Sequence, residues 1–139
     1  MTLARICATV AALAAIPTLA ASGAATTVVL NLRGGYANQT LVACRIKHHY
    51  TFFHVARTLR MDGSVQPVPR PTVWRVKVKV KKCVAGRFRT VWSGHAKGKV
   101  DGSFRIAYTP HRRGSFFARA YYYGVRPAAR SDKQYFRVR

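Results

Sequence analysis

In Trp74-Arg75-Val76-Lys77-Val78-Lys79-Val80-Lys81 every even position is apolar and every odd position is cationic. A strand turns successive side chains to opposite faces, so this period of two sorts the stretch into one apolar and one basic face. A helix would mix them. The stretch therefore predicts a half-buried strand with Trp74, Val76, Val78 and Val80 inward and Arg75, Lys77, Lys79 and Lys81 outward.

The same period extends toward the C-terminus. Phe104, Ile106 and Tyr108 alternate with Ser103, Arg105 and Ala107. Phe116, Ala118, Ala120 and Tyr122 alternate with Phe117, Arg119, Tyr121 and Tyr123, and Phe136 and Val138 alternate with Tyr135, Arg137 and Arg139. Less regular strand candidates precede them at Val28 to Leu32, Leu41 to Ile46 and Tyr50 to Val55. Turn residues separate the runs. Val84-Ala85-Gly86 predicts a tight hairpin that brings Arg87 and Arg89 beside the basic row, Asp101-Gly102 opens the Ser103 strand, and Pro110 to Gly114 makes a corner. Arg57 to Pro71, with prolines at 67, 69 and 71, reads as a loop or a crossing between sheets, because proline cannot donate to a ladder. Regularly spaced short strands of this kind predict an all-β sandwich. Its core is expected to centre on Trp74, Val76, Val78, Val80, Phe104, Ile106, Phe116, Ala118, Phe136 and Val138.

Residues 1–25 have the three parts of an export signal: Arg5 as the positive region, an apolar run from Ile6 to Ile16, and small residues after Pro17. A signal-peptide helix cleaved between Ala20 and Ala25 is expected, leaving residues 26–139 as one domain. An uncleaved anchor is the alternative, but the apolar run is shorter than the roughly 20 residues a membrane-spanning helix needs. No later segment is apolar enough to span. Cleavage removes Cys7, and Cys44 and Cys83 remain. In an exported chain the two are expected to form one disulfide, two separate buried thiols being the alternative. Cys83 shares the parity of Lys77, Lys79 and Lys81, which places it on the outer face unless Lys82 marks a bulge.

The sequence holds 25 Lys and Arg against 3 Asp and Glu, a net charge of +22, and loss of Arg5 with the leader makes this +21. Its carboxylate side chains are Asp62, Asp101 and Asp132 alone. Such a charge concentrates anions around the protein and repels itself. Paired-carboxylate hydrolysis needs two acids converging on one bond, whereas each aspartate here sits in a Gly- or Ser-containing turn context. His48 and His49 would point to opposite faces of a strand, which disfavours a shared metal ion with His54. No serine has a nucleophile-elbow context. No enzyme activity, metal or cofactor is expected.

From Trp74 onward the residues Arg87-Phe88-Arg89-Thr90-Val91, Asp101-Gly102-Ser103-Phe104, Tyr108-Thr109-Pro110, Gly114-Ser115-Phe116, Ala118-Arg119-Ala120 and Tyr135-Phe136-Arg137-Val138 carry a resemblance. This part of the chain resembles the immunoglobulin-like modules of bacterial, especially actinobacterial, secreted and surface proteins. The resemblance implies an antiparallel immunoglobulin-like β-sandwich of about seven strands. The chain departs from the immunoglobulin pattern where a tyrosine corner would stand two residues before a cysteine, since those places are Phe116 and Ala118.

The expected function is a secreted, non-catalytic binding or structural module of the cell envelope or extracellular space. Arg75, Lys77, Lys79, Lys81, Arg87 and Arg89 are the expected ligand-binding residues, with anionic envelope polymers or lipid head groups as partners and no specific nucleic acid. The alternative is a structural or protein–protein interaction module with no polyanion ligand.

Overall fold

The computed structural model describes residues 25–139. The expected signal-peptide helix falls on residues outside those described. Ten strands follow in order: β1 (Thr27–Arg33), β2 (Ala37–Ala43), β3 (Ile46–Phe53), β4 (Leu59–Gln66), β5 (Arg75–Val84), β6 (Arg87–Lys97), β7 (Ser103–Tyr108), β8 (Gly114–Tyr122), β9 (Ala129–Arg130) and β10 (Gln134–Val138). A smaller sheet has the order β1-β4-β7, and a larger one β2-β3-β10-β8-β5-β6 with β9 paired to β8. All pairings are antiparallel except β3 with β10, which run parallel. The described residues contain no helix, and so none that crosses a membrane.

The alternation in β5 works as its sequence requires. Val76, Val78 and Val80 are fully buried and Trp74 nearly so, while Arg75 is exposed and Lys77, Lys79 and Lys81 are half-buried. From the larger sheet Phe116, Ala118, Ala120, Phe136 and Val138 join this apolar layer. The smaller sheet answers with Leu30, Leu59, Met61, Val65 and Phe104. Nine of the ten expected core residues are buried, and the tenth, Ile106, packs half-buried against the same cluster. The Trp74 indole N–H donates to the Lys99 carbonyl at 3.2 Å, which satisfies its one polar atom at the margin of the core.

Four expectations need correction. Arg57 to Pro71 is not a loop throughout, because Leu59–Gln66 forms β4, the central strand of the smaller sheet. Leu59, Met61, Gly63 and Val65 do alternate inward, but Gly63 interrupts the apolar pattern. Its missing side chain makes room for Phe104 directly across the ladder, since a Cβ there would strike the Val29 carbonyl oxygen and lie 2.5 Å from Phe104 Cζ. Leu41 to Ile46 is not one strand either: a two-residue turn at Cys44-Arg45 divides it into the ends of β2 and β3. The strand total is ten rather than about seven, β4 and the short β9 being strands that the sequence pattern does not display. Asp62 accordingly lies in β4, where its carboxylate accepts from Arg33 Nε at 3.1 Å, and not in a turn. Asp101 does shape its turn, accepting from the Ser103 N–H at 2.9 Å and hydroxyl at 2.6 Å, which holds its carboxyl below the usual range.

The β5–β6 connection is the expected tight hairpin. Val84 pairs with Arg87, and the two loop residues Ala85 and Gly86 have φ of 52° and 78°, the left-handed conformation of a type I′ turn. Glycine adopts it freely; alanine is disfavoured there by about 1 kcal/mol. Ala85→Asn, which installs the preferred Asn-Gly pair, is expected to raise unfolding stability by about 0.5 to 1 kcal/mol in urea denaturation. Gly63→Ala is expected to lower it by about 2 to 3 kcal/mol through overpacking against Phe104, and an unchanged urea midpoint would contradict the close packing assigned to that pair.

Candidate polyanion-binding face

The outward side chains of β5, the strand next to the edge of the larger sheet, have β6 on one side and β8 on the other. Residues directly opposite in an antiparallel pair share a face, so the register gives each cation its neighbours. Arg75 pairs with Lys97, Lys77 lies between His95 and Tyr121, Lys79 between Ser93 and Arg119, and Lys81 between Thr90 and Phe117. The Arg75–Lys97 and Lys79–Arg119 pairs set like charges side by side, an arrangement that destabilises a sheet unless anions screen it.

No carboxylate relieves these pairs. Among the described residues the ion pair is Arg33–Asp62, on the smaller sheet, and Asp101 is engaged with Ser103 at the β6–β7 turn. Aromatic rings do part of the work instead. Lys79 Nζ lies 5.0 Å from the Tyr121 ring centre, Lys81 Nζ lies 5.7 Å from that of Phe117, and Lys133 Nζ approaches Phe117 at 5.0 Å. Lys79 and Lys81 are half-buried along these rings, as long cationic side chains are when their stems lie on apolar surface, and Lys133 is exposed. Arg119 and Arg137 are more firmly placed, Arg119 Nε donating to the Ser131 carbonyl and Arg137 to the Ser115 hydroxyl, each at 2.7 Å.

Arg87 and Arg89 do not extend this row. The two-residue turn sets Arg87 opposite Val84 and Arg89 opposite Lys82, so both share the face of Lys82, which points toward the inner side and lies over the Phe116 ring. The six expected ligand residues thus divide between two faces. Four of them, Arg75, Lys77, Lys79 and Lys81, are joined on the outer face by Lys97 and Arg119, which the sequence reading omitted. Both follow from register, which becomes visible only once the strand pairing is known.

One end of the outer face carries a second apolar cluster. Phe117 is buried although it alternates with the core residues Phe116 and Ala118, because Phe88 and Tyr135 cover it at ring-centre distances of 4.8 and 5.6 Å. Tyr50 is fully buried beside Tyr135 at 5.6 Å, and its hydroxyl donates to the Ala43 carbonyl. Burial pushes the phenols of Tyr50 and Tyr135 above their usual range. Tyr135 lies on the opposite face to the core residues Phe136 and Val138, yet it is half-buried, and His48 stacks on it at 4.2 Å. His54 stacks on Tyr36, and the described residues hold no cluster of three metal-ligating side chains.

The expected disulfide joins these parts. Cys44–Cys83, with Cα atoms 5.7 Å apart, ties the β2–β3 turn to the end of β5. Cys83 keeps the outward parity of the lysines, and Phe88 is its cross-strand partner. The bulge that the sequence allowed at Lys82 lies in β6 instead: Val80 pairs with Trp92 and Lys81 with Thr90, leaving Val91 unpaired. Cys44 and Arg45 both have positive φ, 52° and 63°, so the turn at which the bridge is anchored is made of two residues that disfavour its conformation. Replacing both cysteines by alanine is expected to cost up to about 4 kcal/mol, the chain-entropy value for a 39-residue separation. Amide exchange should accelerate in β2 and β3 before β5 and β8; equal acceleration throughout would show that the bridge does not act locally on the hairpin. Compared with protein-family models and with curated proteins, the chain matches none.

Proposed function

We propose that this chain is a secreted, non-catalytic immunoglobulin-like module of the cell envelope or extracellular space, and that it binds anionic polymers through the outer face of its larger sheet. The observation that carries this function is the row Arg75, Lys77, Lys79 and Lys81 at alternate positions of one strand, widened by Lys97 and Arg119 and without a carboxylate among its cross-strand partners. At two residues per outward side chain the cations recur about every 6.8 Å along the strand. A linear polyanion laid along it meets several at once, each contact releasing counter-ions.

The immunoglobulin-like assignment is supported by topology. A three-stranded sheet β1-β4-β7 faces β6-β5-β8-β10, and an N-terminal strand, β3, adds to β10 in parallel. Export is supported by the Cys44–Cys83 bridge, since disulfides persist in oxidising compartments. The non-catalytic reading rests on the dispersal of the three aspartates, of which Asp62 and Asp101 are engaged in an ion pair and a turn.

Retention on immobilised poly(glycerol phosphate) measured against salt concentration tests the binding. Log affinity is expected to fall linearly with log salt, and Lys77→Glu/Lys79→Glu should release the protein at lower salt and reduce the slope by about 1.5 to 2. If the double variant elutes with the unaltered chain, the outer row is not the binding surface and a structural or protein–protein role becomes the better account.

A further inference from the structure

Arg89 and Lys82 lie at a different feature from the outer row. Between the two sheets, where β6 and β7 form neighbouring edges, the sandwich opens into a cleft of about 440 Å3, within the range of small-molecule sites. Its apolar lining includes Trp92 and Tyr108, whose ring centres are 5.0 Å apart, and Phe116. Its cations are Lys82 and Arg112, His111 also lines it, and none of the three aspartates does. Arg89, the cross-strand partner of Lys82, adds a further positive charge beside it.

The local backbone is what opens this cleft. The turn at Ala85-Gly86 gives Phe88 the outer face, and regular alternation from there would put Trp92 outward as well. The unpaired Val91 shifts the register by one, so Trp92 pairs with fully buried Val80 and turns inward. Its ring lies over Gly94, where a Cβ would come within 2.7 Å of the indole. Trp92 and Tyr108 remain half-buried, leaving the two rings only partly covered by the protein. Aromatic rings so placed accept a flat apolar ring, and a surrounding set of cations without a counter-charge accepts an acidic group.

We propose that this cleft is a binding site for a small ring-bearing acid: a six-membered ring resting on Trp92 and Tyr108, with a directly attached carboxylate or phosphate held by Lys82 and Arg112. The site is independent of the outer row, because its residues face the opposite side of β5 and β6. Aromatic acids and acidic sugars share this chemistry, and the experiment separates them.

The chain has two tryptophans, so its indole N–H groups give two nitrogen-correlated proton resonances. Trp74, buried and bonded to the Lys99 carbonyl, is the internal control. Titration with 2-naphthoate and with glucuronate is expected to shift the Trp92 resonance saturably and leave that of Trp74 in place. The tighter of the two acids identifies the ring type. Neutral 2-naphthylmethanol and methyl glucoside should bind about ten-fold more weakly than the matching acid, and Arg112→Ala should weaken the acid by about ten-fold. Arg60→Ala, which removes the same charge from the outer side of the smaller sheet, should change the affinity by less than about two-fold. Arg112 is exposed in a loop, so its replacement leaves the fold intact. The proposal is overturned if neither acid shifts Trp92, if the neutral ring binds as tightly as its acid, if inorganic phosphate alone produces the same shift at the same concentration, or if Arg112→Ala and Arg60→Ala behave alike.

Discussion

Strand β5 is the constraint on which the rest of the structure depends. It is paired on both sides, to β6 and β8, and its three fully buried valines lie between two sheets. Because its side chains alternate strictly, a slip of one residue would drive Lys77, Lys79 and Lys81 into the core, at a cost on the order of several kcal/mol for each ion left without a partner. The registers with β6 and β8 are therefore fixed together. With β8 in register, Phe116, Ala118 and Ala120 must face inward, and β10 is aligned in turn through Phe136 opposite Phe116.

The same alternation concentrates the charge. A chain with almost no carboxylates cannot neutralise a basic strand by pairing, and Lys79 beside Arg119 is the result. The protein limits the repulsion by laying lysine stems over Tyr121 and Phe117 and by hydrogen-bonding Arg119 and Arg137 to neighbouring oxygens. Neither device removes charge. The remaining repulsion falls when anions gather at the face, so the proposed affinity for polyanions and the relief of that repulsion have one electrostatic origin.

How far the sequence reveals this structure depends on whether a residue's environment is set by its own strand or by its neighbours. β5, β8 and β10 are legible because period two and turn chemistry are local. β4 is hidden because Gly63 gives up its side chain to Phe104, a substitution across the ladder that no local pattern shows. Phe117 reads as outward, and it is; its burial comes from Phe88 and Tyr135, brought over it by strands distant in sequence. The disulfide was legible from cysteine count, whereas its position on the outer face required the parity of Cys83. Arg87 and Arg89 were assigned to the wrong face because parity does not carry through a two-residue turn: Val84 meets Arg87, and even-numbered residues of β6 then face with odd-numbered residues of β5.

The β5–β6 hairpin consequently serves both faces of the larger sheet. Near its turn Phe88 packs outward under the β2–β3 hairpin, helping to form the cluster that the disulfide closes. Beyond Val91 the parity reverses, and Trp92 enters the space between the sheets. Without the unpaired residue one of the two rings would be misdirected: Phe88 inward among Lys82 and Phe116, or Trp92 outward among the lysines. A single bulge thus lets one strand supply an aromatic side chain to each layer, and it also sends His95 and Lys97 to the basic face while Gly94 and Ala96 turn to the interior. One backbone, that of β6, thus contributes to both the basic face and the cleft, which share no side chain.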